Sequence, residues 1–167
     1  MKLIHYILAF LLIINIANAT YSQEFIIDNE VNVNILINFD NQEAFSFNLE
    51  LPNDASNLKV LFDNQEKEFQ IQNNIVSIYG SAKEIKINYN SDSYIEKAKK
   101  NYFTAEVNSL LNEDFGIKVT LPEGATLDKP FTKNLEETSV YPAADDITTN
   151  GKNLIITWNY DASTNEK

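Results

Sequence analysis

Three pairs of adjacent acids, Glu113-Asp114, Glu136-Glu137 and Asp145-Asp146, are the residues of this chain best supplied for chemistry. Two carboxyl groups about 5 to 9.5 Å apart across a sugar-binding cleft can hydrolyse a glycosidic bond. Neighbouring acids on one loop are more often simply solvated than held at that spacing. The pairs Glu113-Asp114 and Asp145-Asp146 would also offer hard oxygen ligands to calcium, which takes about six to eight. No regular Asp-x-Asp-x-Asp-Gly loop surrounds them. A serine-lysine dyad has the residue types it needs but no strand-turn-helix setting for the nucleophile.

Absences narrow the field further. The chain has no cysteine and no arginine, and its one histidine is His5. Beyond His5 there is no imidazole for a Ser-His-Asp triad or a Cys-His pair, no thiolate or imidazole zinc site, and no bidentate guanidinium clamp for phosphate. General acid-base work falls to carboxylates, lysines and hydroxyls alone. The sequence therefore predicts a protein that is not an enzyme, with no catalytic residue, no metal ligand and no cofactor assigned and no ligand-binding residue identified.

Those residues must be delivered and positioned by something, and the first element is a leader. Lys2 gives a positive start, and Leu3 to Ile16 is apolar apart from His5, Tyr6 and Asn15. Ala17 and Ala19 then place small residues at the positions signal peptidase reads, so cleavage is expected before Thr20. The apolar run is shorter than the roughly 20 residues of a membrane span. No cysteine follows it, which excludes a lipoprotein anchor. The reading is a secreted or cell-surface protein, with residues 1–19 as signal peptide.

Removing 19 of 167 residues leaves 148, enough for a core that needs no disulfides. Net charge is -11, or -12 once Lys2 is gone, with 12 lysines left against 24 carboxylates. That field repels nucleic acid and anionic lipid heads and favours solubility. No transmembrane span is expected in the mature chain. The expected partner is a protein or glycan at the cell surface, and no nucleic acid. The abundance of lysine over arginine and of asparagine is compositional and carries no functional reading.

Apolar residues alternate with polar ones along most of the remaining chain, the signature of half-buried strands. Val31, Val33, Ile35 and Ile37 form one such run and Phe45, Phe47, Leu49 and Leu51 a second, closed by Pro52. Leu58, Val60 and Phe62 suggest a third strand, and Phe69 and Ile71 a fourth. Asn73-Asn74 reads as a two-residue hairpin turn, because asparagine tolerates the left-handed backbone such a turn requires. Strands over 75–79 and 84–89 follow. The stretch 94–112 mixes signals, and a short turn or helix followed by a strand over Tyr102 to Val107 fits it best.

A second alternating run, Phe115, Ile117, Val119 and Leu121, ends in Pro122 and Ala125. It shares the pattern Phe-x-apolar-x-apolar-x-Leu-Pro-x-x-Ala with Phe45 to Ala55. Each block then reaches a turn that feeds a strongly apolar strand, Asn73-Asn74 before Ile75 and Asn150-Gly151 before Leu154. Duplication and coincidence both account for this; duplication predicts two related β-units rather than one continuous sheet. The fold expected is an all-β, antiparallel, immunoglobulin-like β-sandwich of two related β-units packed together. The units are residues 20–92 and 93–160, with a polar tail at 161–167. Trp158 is expected in the core rather than as an exposed sugar-stacking ring.

The segments Leu121-Pro122-Glu123-Gly124-Ala125, Tyr141-Pro142, Thr149-Asn150-Gly151-Lys152 and Ile155-Ile156-Thr157-Trp158 together resemble a pattern in poorly characterised archaeal exported proteins with β-sandwich ectodomains. The resemblance covers roughly residues 85 to 160 and rests on structural motifs, so it brings no catalytic residues. Some members of that group carry a membrane span after the β region and a winged-helix segment beyond it. This sequence instead reaches Lys167 through a polar tail. The function expected is a noncatalytic exported binding or interaction module; a membrane-anchored sensor ectodomain or surface-assembly component, and a calcium-dependent or carbohydrate-binding module, are the alternatives.

Overall fold

The computed structural model describes residues 19–97, 101–107, 114–127 and 139–161, and among them every regular element is a strand. The described residues open with β1 (Ala19–Ile27), which pairs antiparallel with β2 (Val31–Glu50) from Ala19 opposite Phe39 to Ile27 opposite Val31. The other flank of β2 is taken by β6 (Ile75–Ser91) along nearly its whole length. Beyond β6 lie β3 (Ser56–Phe62), β4 (Gln65–Glu66) and β5 (Gln70–Gln72). On the other side, β9 (Phe115–Thr120) pairs parallel with β1, and β11 (Leu154–Tyr160) and β10 (Asp146–Thr149) complete the sheet. The order is β10-β11-β9-β1-β2-β6-β3-β4, with β5 on the side of β6, nine strands in all.

Register aligns the apolar positions into rows. Val60, Ile87, Ile35, Gln23, Ile117 and Trp158 stand opposite one another across six strands. Phe25, Val31, Val33, Ile37, Ile85 and Ile87 on this face are completely shielded from solvent. Burying each such side chain stabilises the fold by about 1.5 to 3 kcal/mol. The row contains one polar member, Gln23, whose Oε1 accepts the Tyr21 hydroxyl at 2.9 Å.

The longest ladder, between β2 and β6, is broken by one register shift. Between Asn38 and Glu43, four residues of β2 lie opposite the single residue Lys83 of β6. A bulge of this kind kinks the strand and raises its twist. Buried positions in β6 accordingly switch from even numbers (Val76, Ile78, Ala82) to odd ones (Ile85, Ile87, Tyr89). In the outer half of β2, Phe45 meets Phe62 of β3 edge to face at 5.0 Å. Gly80 is required there, since a Cβ at that position would come within 2.7 Å of the Phe62 ring.

A small hairpin, β7 (Ile95–Lys97) with β8 (Asn101–Phe103), packs on the inner face. Tyr94 and Phe103 both set their rings against Phe25, at 5.2 and 5.1 Å. Trp158 is core, as expected: it is 8% exposed and its indole N–H donates to the Pro142 carbonyl at 2.8 Å. The all-β, antiparallel-dominated prediction holds, and the arrangement is consistent with a β-sandwich.

Several finer expectations change. The runs 31–37 and 45–51 are one strand, because the polar residues between them form a bulge and not a turn, and 75–79 and 84–89 are one strand, because Gly80, Ser81 and Ala82 continue the ladder to β2. The strand expected over Tyr102 to Val107 stops at Phe103, although Phe103, Ala105 and Val107 still share an inward face. The helical alternative over 94–97 gives way to β7. The strands of 20–92 and 93–160 join one hydrogen-bonded sheet through the β1–β9 pairing, so the division at 92/93 is no break in the sheet.

The two Leu-Pro-x-x-Ala segments nevertheless share their geometry. Ala55 N–H donates to the Pro52 carbonyl and Ala125 N–H to the Pro122 carbonyl, each at 3.1 Å. Leu51 N–H reaches the Asn74 carbonyl and Leu121 N–H the Leu154 carbonyl, at 2.8 and 2.9 Å. Leu49 opposes Val76 just as Val119 opposes Ile156.

Candidate functional site

The residues read as signal-peptidase recognition fall at the start of the described chain. Ala17 lies outside the described residues, and Ala19 is the first residue of β1, buried opposite Phe39. Cleavage before Thr20 would remove only that first pair of the β1–β2 ladder.

Of the acidic pairs, Glu113, Glu136 and Glu137 lie outside the described residues. Asp114 sits exposed just before β9. Asp145 is a structural tie, its Oδ2 accepting the Asn159 N–H at 2.6 Å, and Asp146 is the exposed first residue of β10 rather than a loop residue. Among the described residues no group of three or more His, Cys, Asp or Glu side chains is placed to hold a metal. No helix there is long and apolar enough to cross a membrane.

A different carboxylate has the richest environment. Asp54 Oδ1 accepts the Ser91 and Ser93 hydroxyls, both at 2.6 Å, and Oδ2 accepts the backbone N–H groups of Asp92 and Ser93 at 2.8 and 3.0 Å. The Ser91 hydroxyl, followed by that of Ser93 and the backbone donors, holds the carboxyl down to about 2. The group locks the turn that leads into Tyr94 and the covering hairpin. Nearby, the Tyr89 and Tyr94 hydroxyls share a hydrogen bond at 2.8 Å, and burial pushes the phenols of Tyr21, Tyr89 and Tyr94 up. These phenols stay protonated and serve as packing groups with satisfied hydroxyls.

The outward face of the main sheet carries a polar row, Thr157, Lys118, Glu24, Asn34, Asn88 and Lys59, in register across six strands. Its members bond to each other: Lys118 Nζ to Glu24 Oε1 at 2.5 Å, and Asn88 Nδ2 to Asn34 Oδ1 at 2.6 Å. A face that satisfies itself in this way offers little to a ligand.

The outer half of β2 is different. From Glu43 to Glu50 it pairs with β6 on one side, and among the described residues no strand pairs with its other side. Donation from Leu51 N–H to Asn74 fixes which way the backbone faces. Because successive residues in an antiparallel ladder turn to opposite neighbours, Phe45, Phe47 and Leu49 bond toward β6. Ala44, Ser46, Asn48 and Glu50 present their N–H and C=O groups to the open side. Of the other sheet margins, β4 has two residues, β5 three and β10 four, and the part of β3 beyond its pairing with β4, Ser56 to Val60, carries Lys59. The β2 edge runs eight residues with neither lysine nor proline in it, the usual guards of an exposed edge. Phe45 and Phe47 lie half-buried on its inner side, and Asp40, Glu43 and Glu50 mark its ends.

Sequence reading missed this edge because Asp40-Asn41-Gln42-Glu43 looks like a loop between two strands. The available signal was the absence of glycine and proline from that run, which favours a bulge in a continuous strand over a turn.

No family model matches the chain, and no curated protein matches it. Among solved structures, the chain is similar to an M1 zinc metallopeptidase from Deinococcus radiodurans, with a TM-score of 0.45 and 10% identity. A mutant of an M1 zinc metallopeptidase from the same organism bound to a Tyr-ser-ala substrate gives a TM-score of 0.45 at 9% identity. Both alignments cover 86% of this chain and 38% of the metallopeptidase chain, so this chain spans well under half the length of those proteins.

Proposed function

We propose that this chain is a noncatalytic exported binding module that works at the cell envelope or outside the cell, with the open edge of β2 as its contact surface. The unpaired run from Glu43 to Glu50 carries this reading: an exposed edge adds a further strand from another molecule by backbone hydrogen bonding. The leader directs the chain out of the cytoplasm. The groups best placed for chemistry, Asp54 and Asp145, are both engaged in holding turns and strands together.

The test compares sedimentation of the chain, purified after export, with envelopes of its own cells. Ser46→Pro with Asn48→Pro removes two N–H groups from the open side without touching the ladder to β6, and proline is tolerated at such edge positions. The double variant should stay folded by circular dichroism and lose most of its sedimentation. Thr148→Lys on β10 should change nothing. Equal sedimentation of all three proteins refutes the edge as contact surface, and turnover of a peptide or glycan substrate by the purified chain refutes the noncatalytic reading.

A further inference from the structure

Building on the proposed role of this edge, we infer that the molecule it accepts is an extended segment of another protein, apolar at alternate residues and flanked by lysine or arginine. Geometry sets the alternation. A strand added beside β2 continues the pleat, so every second side chain of the incoming segment lies beside Phe45, Phe47 and Leu49, on the inner side of the sheet. Leu49 is only 8% exposed, whereas both phenylalanines are half-buried, and among the described residues no strand flanks them on the open side. Apolar residues there complete their burial. The other alternate set lies beside Ala44, Ser46, Asn48 and Glu50 on an outer face that is uncharged except at its end, where polar side chains remain in water.

Charge selects the flanks. Asp40, Glu43 and Glu50 bracket the edge, and the whole chain carries -11. An incoming segment with basic ends meets a carboxylate at each end, and the long-range field speeds its approach. A segment with acidic ends is repelled at the same two places. A second copy of this chain fits poorly by the same argument. Two copies can set Phe47 against Phe47 about a two-fold axis, yet each brings its own net charge of -11 and its own bracket of acids to the contact.

The experiment titrates fluorescein-labelled synthetic peptides with the chain purified after export and reads anisotropy. The probe is Lys-Thr-Val-Thr-Val-Thr-Val-Lys; its companions are a version with the same residues in non-alternating order, one with glutamate at both ends, and one N-methylated on alternate amides. The probe should bind at least about tenfold more tightly than each companion, and Ser46→Pro with Asn48→Pro should weaken it by a similar factor, about 1.4 kcal/mol. Binding of the glutamate-ended peptide as tightly as the probe overturns the basic flanks while leaving the edge reading intact. Equal binding of the non-alternating or N-methylated peptide, an unchanged affinity in the proline variant, or no peptide binding at all overturns strand addition itself. Light scattering gives the remaining outcome: a dimer that the proline variant dissolves makes a second copy the occupant and overturns the protein-segment partner.

Discussion

The two halves of β2 are written in the same alphabet and live in different circumstances. Val31, Val33, Ile35 and Ile37 are 0–1% exposed, with β1 on one side and β6 on the other. Phe45 and Phe47 alternate with polar residues just as regularly, yet they remain half-buried, with a single neighbouring strand among the described residues. The difference is one of backbone partners, not of side-chain pattern. Alternation tells a strand which face to bury, whereas its stability depends on how many of its edges are used.

Amide exchange offers the sharpest contrast. In the inner half, every amide from Asn32 to Asn38 faces a paired strand and should exchange slowly. In the outer half, Phe45, Phe47 and Leu49 should be protected while Ser46, Asn48 and Glu50 exchange faster by about a thousandfold or more. Uniform protection from Ala44 to Glu50 would mean that the open edge is covered.

Truncation should separate the halves by energy. Ile35→Ala should cost about 3 kcal/mol, within the range for emptying a closed core site. Phe47→Ala should cost about 1 to 2 kcal/mol, because much of its surface is already in water. Urea midpoints at constant slope measure both, and equal losses would break the comparison. The outer half of β6 has its own weak point: Gly80→Ala drives a methyl into the Phe62 ring and should cost about 1 to 3 kcal/mol, read as a lowered melting temperature.

The smallest effect concerns the turn that follows the outer half. Asp54 has its carboxyl lowered to about 2, so its contribution is complete above the unfolded value near 3.8 and disappears as pH falls through the folded one. Asp54→Asn should therefore flatten the loss of stability between about pH 4 and pH 2 in acid titrations. Since the group lies mostly in solvent, the change is modest. The matching turn after β9 has Gly124 in that place, at a φ of +77°, and no carboxylate to titrate.

Legibility followed the physics of each element. Asn73-Asn74 was readable as a hairpin because φ values of 52° and 62° suit asparagine better than most residues. Asp63-Asn64, at 49° and 64°, makes the same kind of turn between β3 and β4 and was not read, since no strong strand follows it. β1 was hidden by Gln23, a polar residue at a buried position that satisfies its oxygen through Tyr21. The acids Asp145 and Asp146 looked like loop residues, and one ties β11 while the other starts β10. The Asp54 cluster was illegible because its serines lie 37 and 39 residues away.

By itself, the sequence determined an all-β chain with Trp158 inside, and it withheld imidazole, thiol and guanidinium from everything after His5. Side-chain chemistry is local information, and period-two burial needs nothing more than neighbours along the chain. Only the tertiary structure decided that β9 lies parallel beside β1, that two pairs of strand runs merge into β2 and β6, and that half of β2 has no second partner strand among the described residues. Those outcomes are backbone pairings between distant segments, and the N–H and C=O groups that make them are the same in almost every residue, so no letter of the sequence marks which will find a partner.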